Sequence, residues 1–444
     1  MFVIVLAQIV YIQTAEKDKW EKASKQNRAT ITKPIIATRG NIYDCQNRLL
    51  ASSVPQYSIH MDTRVEALHL GGDTLFHQYV DSMAEGFSRI IGDKSAAEYK
   101  QMDAKDKRRF VTDSILNNAL YILMLAFCIY TAIQRPNFVT LGSLGNLIVQ
   151  VAAYLPMALG IAGCIVLTGT DLSAGRAVGL TAAITGAFLQ KADYANKMLT
   201  FLPEVTPFWM FVTLLSVVAI GAIIGLVNGF FVAKFSLHPF IVTLSTQLIT
   251  YGAILWFFDL NGNNGAPIGG LDNLYKDFLG TTMFKMGNTP IPLYVLYAVI
   301  LTALMWFIWN KTTFGKNMFA VGSNAEAAKV SGVNVFWTTV LVHTLAGAMY
   351  GYSGFVEGFR SGSIAAGTGA NYECDAIAAC VIGGVSFVGG TGKISGIVMG
   401  VFVLRIIFIA LTMLGVSSSS LYIIKGAIIL CACALDMRKY LVKK

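Results

Sequence analysis

The chain has 444 residues, of which 55% are hydrophobic and only 13% charged, against about 25% charged residues in an average soluble domain. This is membrane composition, and the formal charge of +9 does not point to nucleic acid, because the cytoplasmic loops of membrane proteins collect Lys and Arg. Seven cysteines form no disulfide or metal framework: Cys128, Cys164, Cys431 and Cys433 lie in apolar runs, and Cys374 and Cys380 flank another with no histidine nearby.

From Thr14 to about Phe110 the chain is charged and water-compatible, with KDKWEKASK near its start and DAKDKRR near its end. Beyond it apolar runs follow almost without pause, so a boundary falls near residues 101–110, between a segment 1–105 and a membrane domain 106–444. A helix crossing the hydrocarbon core needs about 20 mostly apolar residues. Stretches at roughly 115–134, 144–168, 173–190, 208–233, 238–258, 290–309, 335–357, 373–390, 394–414 and 420–436 qualify or nearly do. The third and eighth are short and glycine-rich, as expected of a re-entrant or broken segment lining a cavity. The expected fold is an all-α polytopic membrane protein with eight to ten transmembrane helices, preceded by a small, partly ordered non-membrane segment.

Charge sets the orientation. With ten crossings, Lys105, Lys107, Arg108, Arg109, Lys234, Lys311, Lys316, Lys329, Lys393, Arg438, Lys439, Lys443 and Lys444 fall inside, and Arg135, Lys191, Lys197, Lys276, Lys285 and Arg360 outside. That bias places the C-terminus in the cytoplasm. Glycines four apart, at Gly221, Gly225 and Gly229 and again at Gly392, Gly396 and Gly400, let helix backbones approach closely. They predict packing seams inside a bundle, with a contact between two copies as the second reading.

Charged side chains inside a span are costly, so they face a cavity or a partner. The candidates are Asp171, Arg176, Asn228, Gln247, Glu357, Glu373, Asp375, Arg405 and Lys425. Lys425 and Glu357 sit near predicted span ends, where snorkelling to the interface is expected. Asp171 and Arg176 have the spacing to pair across a helix turn. Asp171, Asn228 and Gln247, with Glu373 and Asp375, are the candidates for lining a path, since amides and carboxylates hydrogen-bond hydroxyls.

The longest inward loop runs from Asn310 to Val335. Ser323 or Asn324 can cap a helix starting at Ala325, Glu326 suits its first turn, and Gly332 can end it. The stretch TTFGKNMFAVGSNAEAAKVSGVNV resembles the coupling loop of ABC-importer permeases, in which Glu326, Ala327, Ala328 and Gly332 match an EAA-then-glycine pattern. With LTGTDLSAGRAVGL, IGLVNGFFVA, YECDAIAACVIGGVSFVGGTGKISG and YIIKGAIIL, the segment from about 111 to 444 is similar to the permeases of galactose/methyl-galactoside importers, with ribose and arabinose permeases as close relatives.

The resemblance implies a sugar-translocating subunit of a bacterial inner-membrane importer. It implies that Gly315, Asn324, Glu326, Ala327, Ala328 and Gly332 seat an ATPase subunit, and that an extracytoplasmic sugar-binding protein and a second permease copy are partners. It also implies that ATP and Mg are used by the ATPase and not by this chain. DLSAGR faintly resembles an ATPase signature, yet no G-x-x-x-x-G-K-[ST] loop occurs in the sequence. The competing class is a secondary sugar transporter or channel without an ATPase.

Residues 34–62 resemble the membrane-proximal region of class B penicillin-binding proteins, with Arg39, Gly40, Tyr43, Asp44, Leu50 and Ala51 in the RGxIYDRNGxxLA pattern and Cys45 and Gln46 departing from it. No S-x-x-K or K-T-G occurs in the sequence to supply that chemistry. Met1 to Gln13 would make about 20 Å of helix against a core of about 30 Å. An external N-terminal segment also clashes with a permease that starts inside. The join near residues 101–107 is therefore read as a chimeric or misassembled gene carrying a remnant of a cell-wall transpeptidase.

Overall fold

The computed structural model describes residues 42–43, 49–51, 119–417, 419–428 and 430. The chain divides into two compact units, Met1–Gln101 and Met102–Lys444. In the first, β1 (Ile42–Tyr43) pairs antiparallel with β2 (Leu49–Ala51). The remaining N-terminal expectations, from the short apolar start at Met1 to the join near 101–107, lie outside the described residues.

The second unit is helical. Its elements are α1 (Ala119–Gln134), α2 (Leu141–Val166), α3 (Ala174–Phe188), α4 (Pro207–Phe235), α5 (Pro239–Asp259) and α6 (Asn273–Gly280). A hairpin of β3 (Thr282–Met286) and β4 (Thr289–Pro292) leads to α7 (Tyr294–Lys311), α8 (Thr313–Ser323), α9 (Ala325–Val330), α10 (Val335–Ser361), α11 (Tyr372–Ile382) and α12 (Ile394–Met413). Residues 419–428 are again helical. Each of the ten expected stretches thus holds a helix. Five helices among the described residues are long and apolar enough to cross a membrane: Leu141–Val166, Pro207–Phe235, Pro239–Gly262, Tyr294–Lys311 and Ile394–Met413.

The two stretches expected to be short are so. α3 has 15 residues and α11 has 11, about 22 Å and about 16 Å of helix against a core of about 30 Å. α11 stops where Gly384 takes a left-handed φ of 82° and the Val385 and Gly384 amides turn back to the Cys380 and Val381 carbonyls, a closure that satisfies the last turn. The expected stretch to residue 390 is therefore cut at Ile382.

α2 lies at the centre and is mostly buried, whereas α4, α5 and α7 bury only a narrow face each and form the periphery. The glycine triplets make their contacts within this chain. α4 lies against α10, with Gly221 and Gly225 meeting the backbone at Gly347 and His343, and Gly229 that at Val340. Gly396 and Gly400 bring α12 onto the end of α11 at Gly383 and Ala379, and Gly392 faces Val166 and Val385.

Between α7 and α10 the chain forms two helices where one was expected. Thr312 caps α8 by accepting from the Gly315 amide at 3.2 Å, and Asn324 caps α9 by accepting from the Ala327 amide at 3.0 Å. α9 ends at Val330, two residues before the expected Gly332, which takes φ 85° while the Val333 and Gly332 amides bond the Ala328 and Lys329 carbonyls. A side chain at Gly332 would be strained by roughly 1–2 kcal/mol. Gly332→Val is accordingly expected to lower the unfolding midpoint slightly without displacing the bundle, since open space surrounds that position; a loss of membrane accumulation would contradict this.

Candidate functional site

The N-terminal turns of the two short helices, α3 and α11, bring together most of the polar side chains expected inside the membrane. The loop before α3 passes through Thr168 at φ 63° and is tied to α5 by Thr243, whose Oγ1 accepts from the Leu172 amide at 3.1 Å and donates to the Thr170 carbonyl at 3.2 Å. Asp171 then folds over the start of α3, its Oδ1 accepting from the Ser173 amide at 2.9 Å and the Ser173 hydroxyl at 2.6 Å. Asn228 on α4 donates to that hydroxyl at 2.9 Å. Asp171 and Asn228 are thus joined through Ser173, a residue that composition alone did not mark out. All three are fully buried.

The expected pairing of Asp171 with Arg176 does not form. Asp171 serves the amide two residues on, and the Arg176 guanidinium instead lies 4.1 Å from the ring centroid of Tyr251 on α5, a favourable cation–π position. One turn earlier on α5, Gln247 reaches Glu373 Oε1 at 3.5 Å. Glu373 is 3% exposed. Its Oε2, Arg176 Nη1, Asp171 Oδ2 and Asn228 Oδ1 are buried without hydrogen-bond partners.

Asp375, two residues beyond Glu373, points into a different network. Its carboxylate lies 2.6 Å from Arg405 on α12 and 2.9 Å from Lys425. Arg405 lies 3.6 Å from the ring centroid of Tyr154 on α2, and Tyr154 also accepts from Arg360 at 3.2 Å. Arg360 holds Glu357 through contacts of 2.8 and 3.1 Å, while Tyr372 and Ser361 each donate to Glu357 Oε1 at 2.9 Å. Lys425 and Glu357 were expected to snorkel, but both are tied into this network by ion pairs within the bundle. Tyr154 and Tyr372 escaped the sequence reading, and Arg360, counted there only as an outer-loop charge, lies in the last turn of α10, at the i, i+3 spacing of a helical ion pair with Glu357. No group of three or more His, Cys, Asp and Glu side chains able to hold a metal occurs among the described residues.

Of the residues expected to form an outward docking loop, Asn324, Glu326, Ala327 and Gly332 are exposed. Two are not. Ala328 is 4% exposed, turned inward because it lies one helix position round from Ala327, and Gly315 is buried where a Cβ would meet the Trp309 and Ile308 carbonyls. These two seat α8 and α9 on their own bundle, and the outward face is completed by Val330, 86% exposed. The base of α8 is also fastened inward, since Gly322 packs on the Val166 carbonyl, which accepts from the Gly390 amide at 2.9 Å.

The family model described as "Branched-chain amino acid transport system / permease component" matches residues 143–433. The chain is 43% identical over 343 residues to the galactose/methyl galactoside import permease of Escherichia coli, covering 77% of this chain and 100% of that protein. It is 42% identical over the same length to the corresponding permease of Haemophilus influenzae. Identity to the ribose import permease of Escherichia coli is 32% over 336 residues, 75% of this chain and 97% of that protein. No solved structure matches. These relatives lend no support to the resemblance of residues 1–105 to a penicillin-binding protein. With its helical bundle, its apolar spans and these matches, the chain belongs to the permease-component family of membrane transport systems and is a multi-pass membrane protein.

Proposed function

We propose that the chain is the membrane-spanning permease of an ATP-driven importer that carries galactose or a methyl galactoside into the bacterial cytoplasm. The observation that carries this is the 43% identity over the whole length of a galactose/methyl galactoside import permease. A separate ATPase subunit binds ATP and Mg, an extracytoplasmic binding protein delivers the sugar, and a second permease copy completes the path. The protein sits in the inner membrane with its C-terminus in the cytoplasm, a placement supported by the bias of Lys and Arg in the ten-crossing reading of the sequence. ATP-dependent uptake of galactose into vesicles holding the chain and its two partner subunits tests the reading. Uptake that persists without ATP would mark a secondary transporter instead.

The ATPase seats on the outward face of α9. Glu326, Ala327 and Val330 present a thin, partly apolar surface there, so Ala327→Trp is expected to leave the permease in the membrane while reducing ATPase co-purification and uptake together. Ala328→Trp should instead disturb the permease's own packing. Equal ATPase recovery with wild type and Ala327→Trp would remove this contact.

Residues 1–105 are a separate domain with no part in transport, and the membrane domain is 106–444. A chain starting near Lys105 should support ATP-dependent uptake at wild-type rates. Loss of uptake despite normal insertion would show that the N-terminal segment serves the transporter.

A further inference from the structure

We propose that Arg176, Gln247, Tyr251 and Glu373 act as one contact site for the hydroxyls of a sugar in transit, at the seam where α5 lies over the first turns of α3 and α11. The proposal rests on the reading of the chain as a sugar permease and gives that function a place and a set of contacts.

Four carboxylates are buried, and Asp171 accepts only from Ser173 in its own loop, while the other three differ in the partners that the helices bring them. Glu357 receives Arg360, Tyr372 and Ser361, and Asp375 receives Arg405 and Lys425. Glu373, equally buried, receives the Gln247 amide at 3.5 Å and no ion pair, and its Oε2 has no side-chain hydrogen-bond partner. Buried polar groups are almost always paired, and each exception calls for a reason. The unpartnered Nη1 of Arg176 lies within Coulombic reach of the same carboxylate. A buried acceptor and a buried donor, neither with a hydrogen-bond partner, therefore lie near one another.

Glu373 Oε2 packs against bare backbone. A Cβ on Gly175 would strike Glu373 Oε2 and the Gly369 carbonyl, and Gly369 itself, at φ 81°, lies on the Gly175 carbonyl. Gln247 and Tyr251 stand four residues apart on α5 and share one face. The guanidinium stacked on Tyr251 keeps its planar fork oriented.

The chemistry of the set selects a ligand class. A carboxylate that accepts, a guanidinium that donates and an amide that does both match neighbouring hydroxyls, and Tyr251 holds the guanidinium in place. Glu373 and Arg176 carry opposite charges, and a set that both donates and accepts suits a neutral polyol. α5 itself buries only Val242, Thr243, Thr250, Ile254 and Phe258. One narrow face holds it over the seam.

The test is uptake of galactose and of its 2-, 3-, 4- and 6-deoxy analogues into vesicles holding the full-length chain with its ATPase and binding protein, for wild type, Glu373→Gln and Gln247→Met. Taking the ratio of variant to wild type for each sugar removes the binding protein's own preference. Galactose uptake should fall about tenfold in Glu373→Gln, the worth of one charged hydrogen bond, and several-fold in Gln247→Met. For at least one deoxy analogue the loss should shrink to less than twofold, because the hydroxyl that met the altered side chain is already gone. An equal loss for galactose and every analogue, or no loss at all, overturns the site. If Glu373→Gln fails to accumulate, Gln247→Met decides alone, since Gln247 is half-buried and Met has its shape. Wild type that takes up no sugar would sink the proposed function itself, a result separate from any variant.

Discussion

Asp375→Leu is expected to destabilise the detergent-extracted chain by about 3–5 kcal/mol, the cost of breaking a buried ion pair from one side. The substitution leaves Arg405, 6% exposed, and Lys425 without their shared carboxylate. The rings around them, Tyr154 and Phe408 for Arg405 and Phe408 and Tyr422 for Lys425, attract a cation through their faces but do not neutralise it. Lys425→Met should cost less, about 1 kcal/mol, because Arg405 still balances Asp375 and the Lys425 side chain is 24% exposed. Glu373→Gln, which removes no ion pair, should leave the unfolding midpoint close to wild type. Unfolding midpoints of the three variants check the order, and an Asp375→Leu chain as stable as wild type would show that the network contributes nothing to the bundle.

The second large effect lies at the crossing of α4 and α10. Gly225→Val should abolish accumulation of the protein in the membrane. A Cβ there strikes the His343 carbonyl and lies 3.1 Å from the Gly347 amide nitrogen, so the obstruction is backbone that no rotamer change can clear. Val would force apart two helices that also meet at Gly221 and Gly229, and overpacking a single site costs about 1–3 kcal/mol before neighbouring contacts are lost. Gly252→Ala on α5 is the control. No atom lies within 4 Å of its added Cβ, and Ala is favoured over Gly in a helix by roughly 1 kcal/mol. Membrane fractions probed for both proteins should contain the second variant and lack the first. A Gly225→Val protein at wild-type level would mean that the helices separate without penalty.

Much of the protein was legible in its sequence because the signals are local. Runs of apolar residues placed ten helices, and the glycine content of the third and eighth foretold that α3 and α11 are short. The cap at Asn324 and the left-handed turn at Gly332 followed from residue type, since each is an agreement between one side chain, or its absence, and the backbone beside it. The two glycine triplets announced close helix contacts through their spacing.

What the sequence left open was direction and partner, which depend on residues far apart in the chain. Ala327 and Ala328 are adjacent and chemically identical, yet one faces out and the other is buried, because only the packed position of α9 sets which side of the helix meets the bundle. The spacing of Gly225 named a helix face but not α10 as its partner. Glu357, Glu373 and Asp375 read alike as carboxylates in apolar surroundings. The tertiary structure separates them, giving the first and last cationic partners from Arg360, Arg405 and Lys425 and Glu373 the Gln247 amide in place of an ion pair, because which group meets a buried carboxylate is decided by how helices distant in sequence pack.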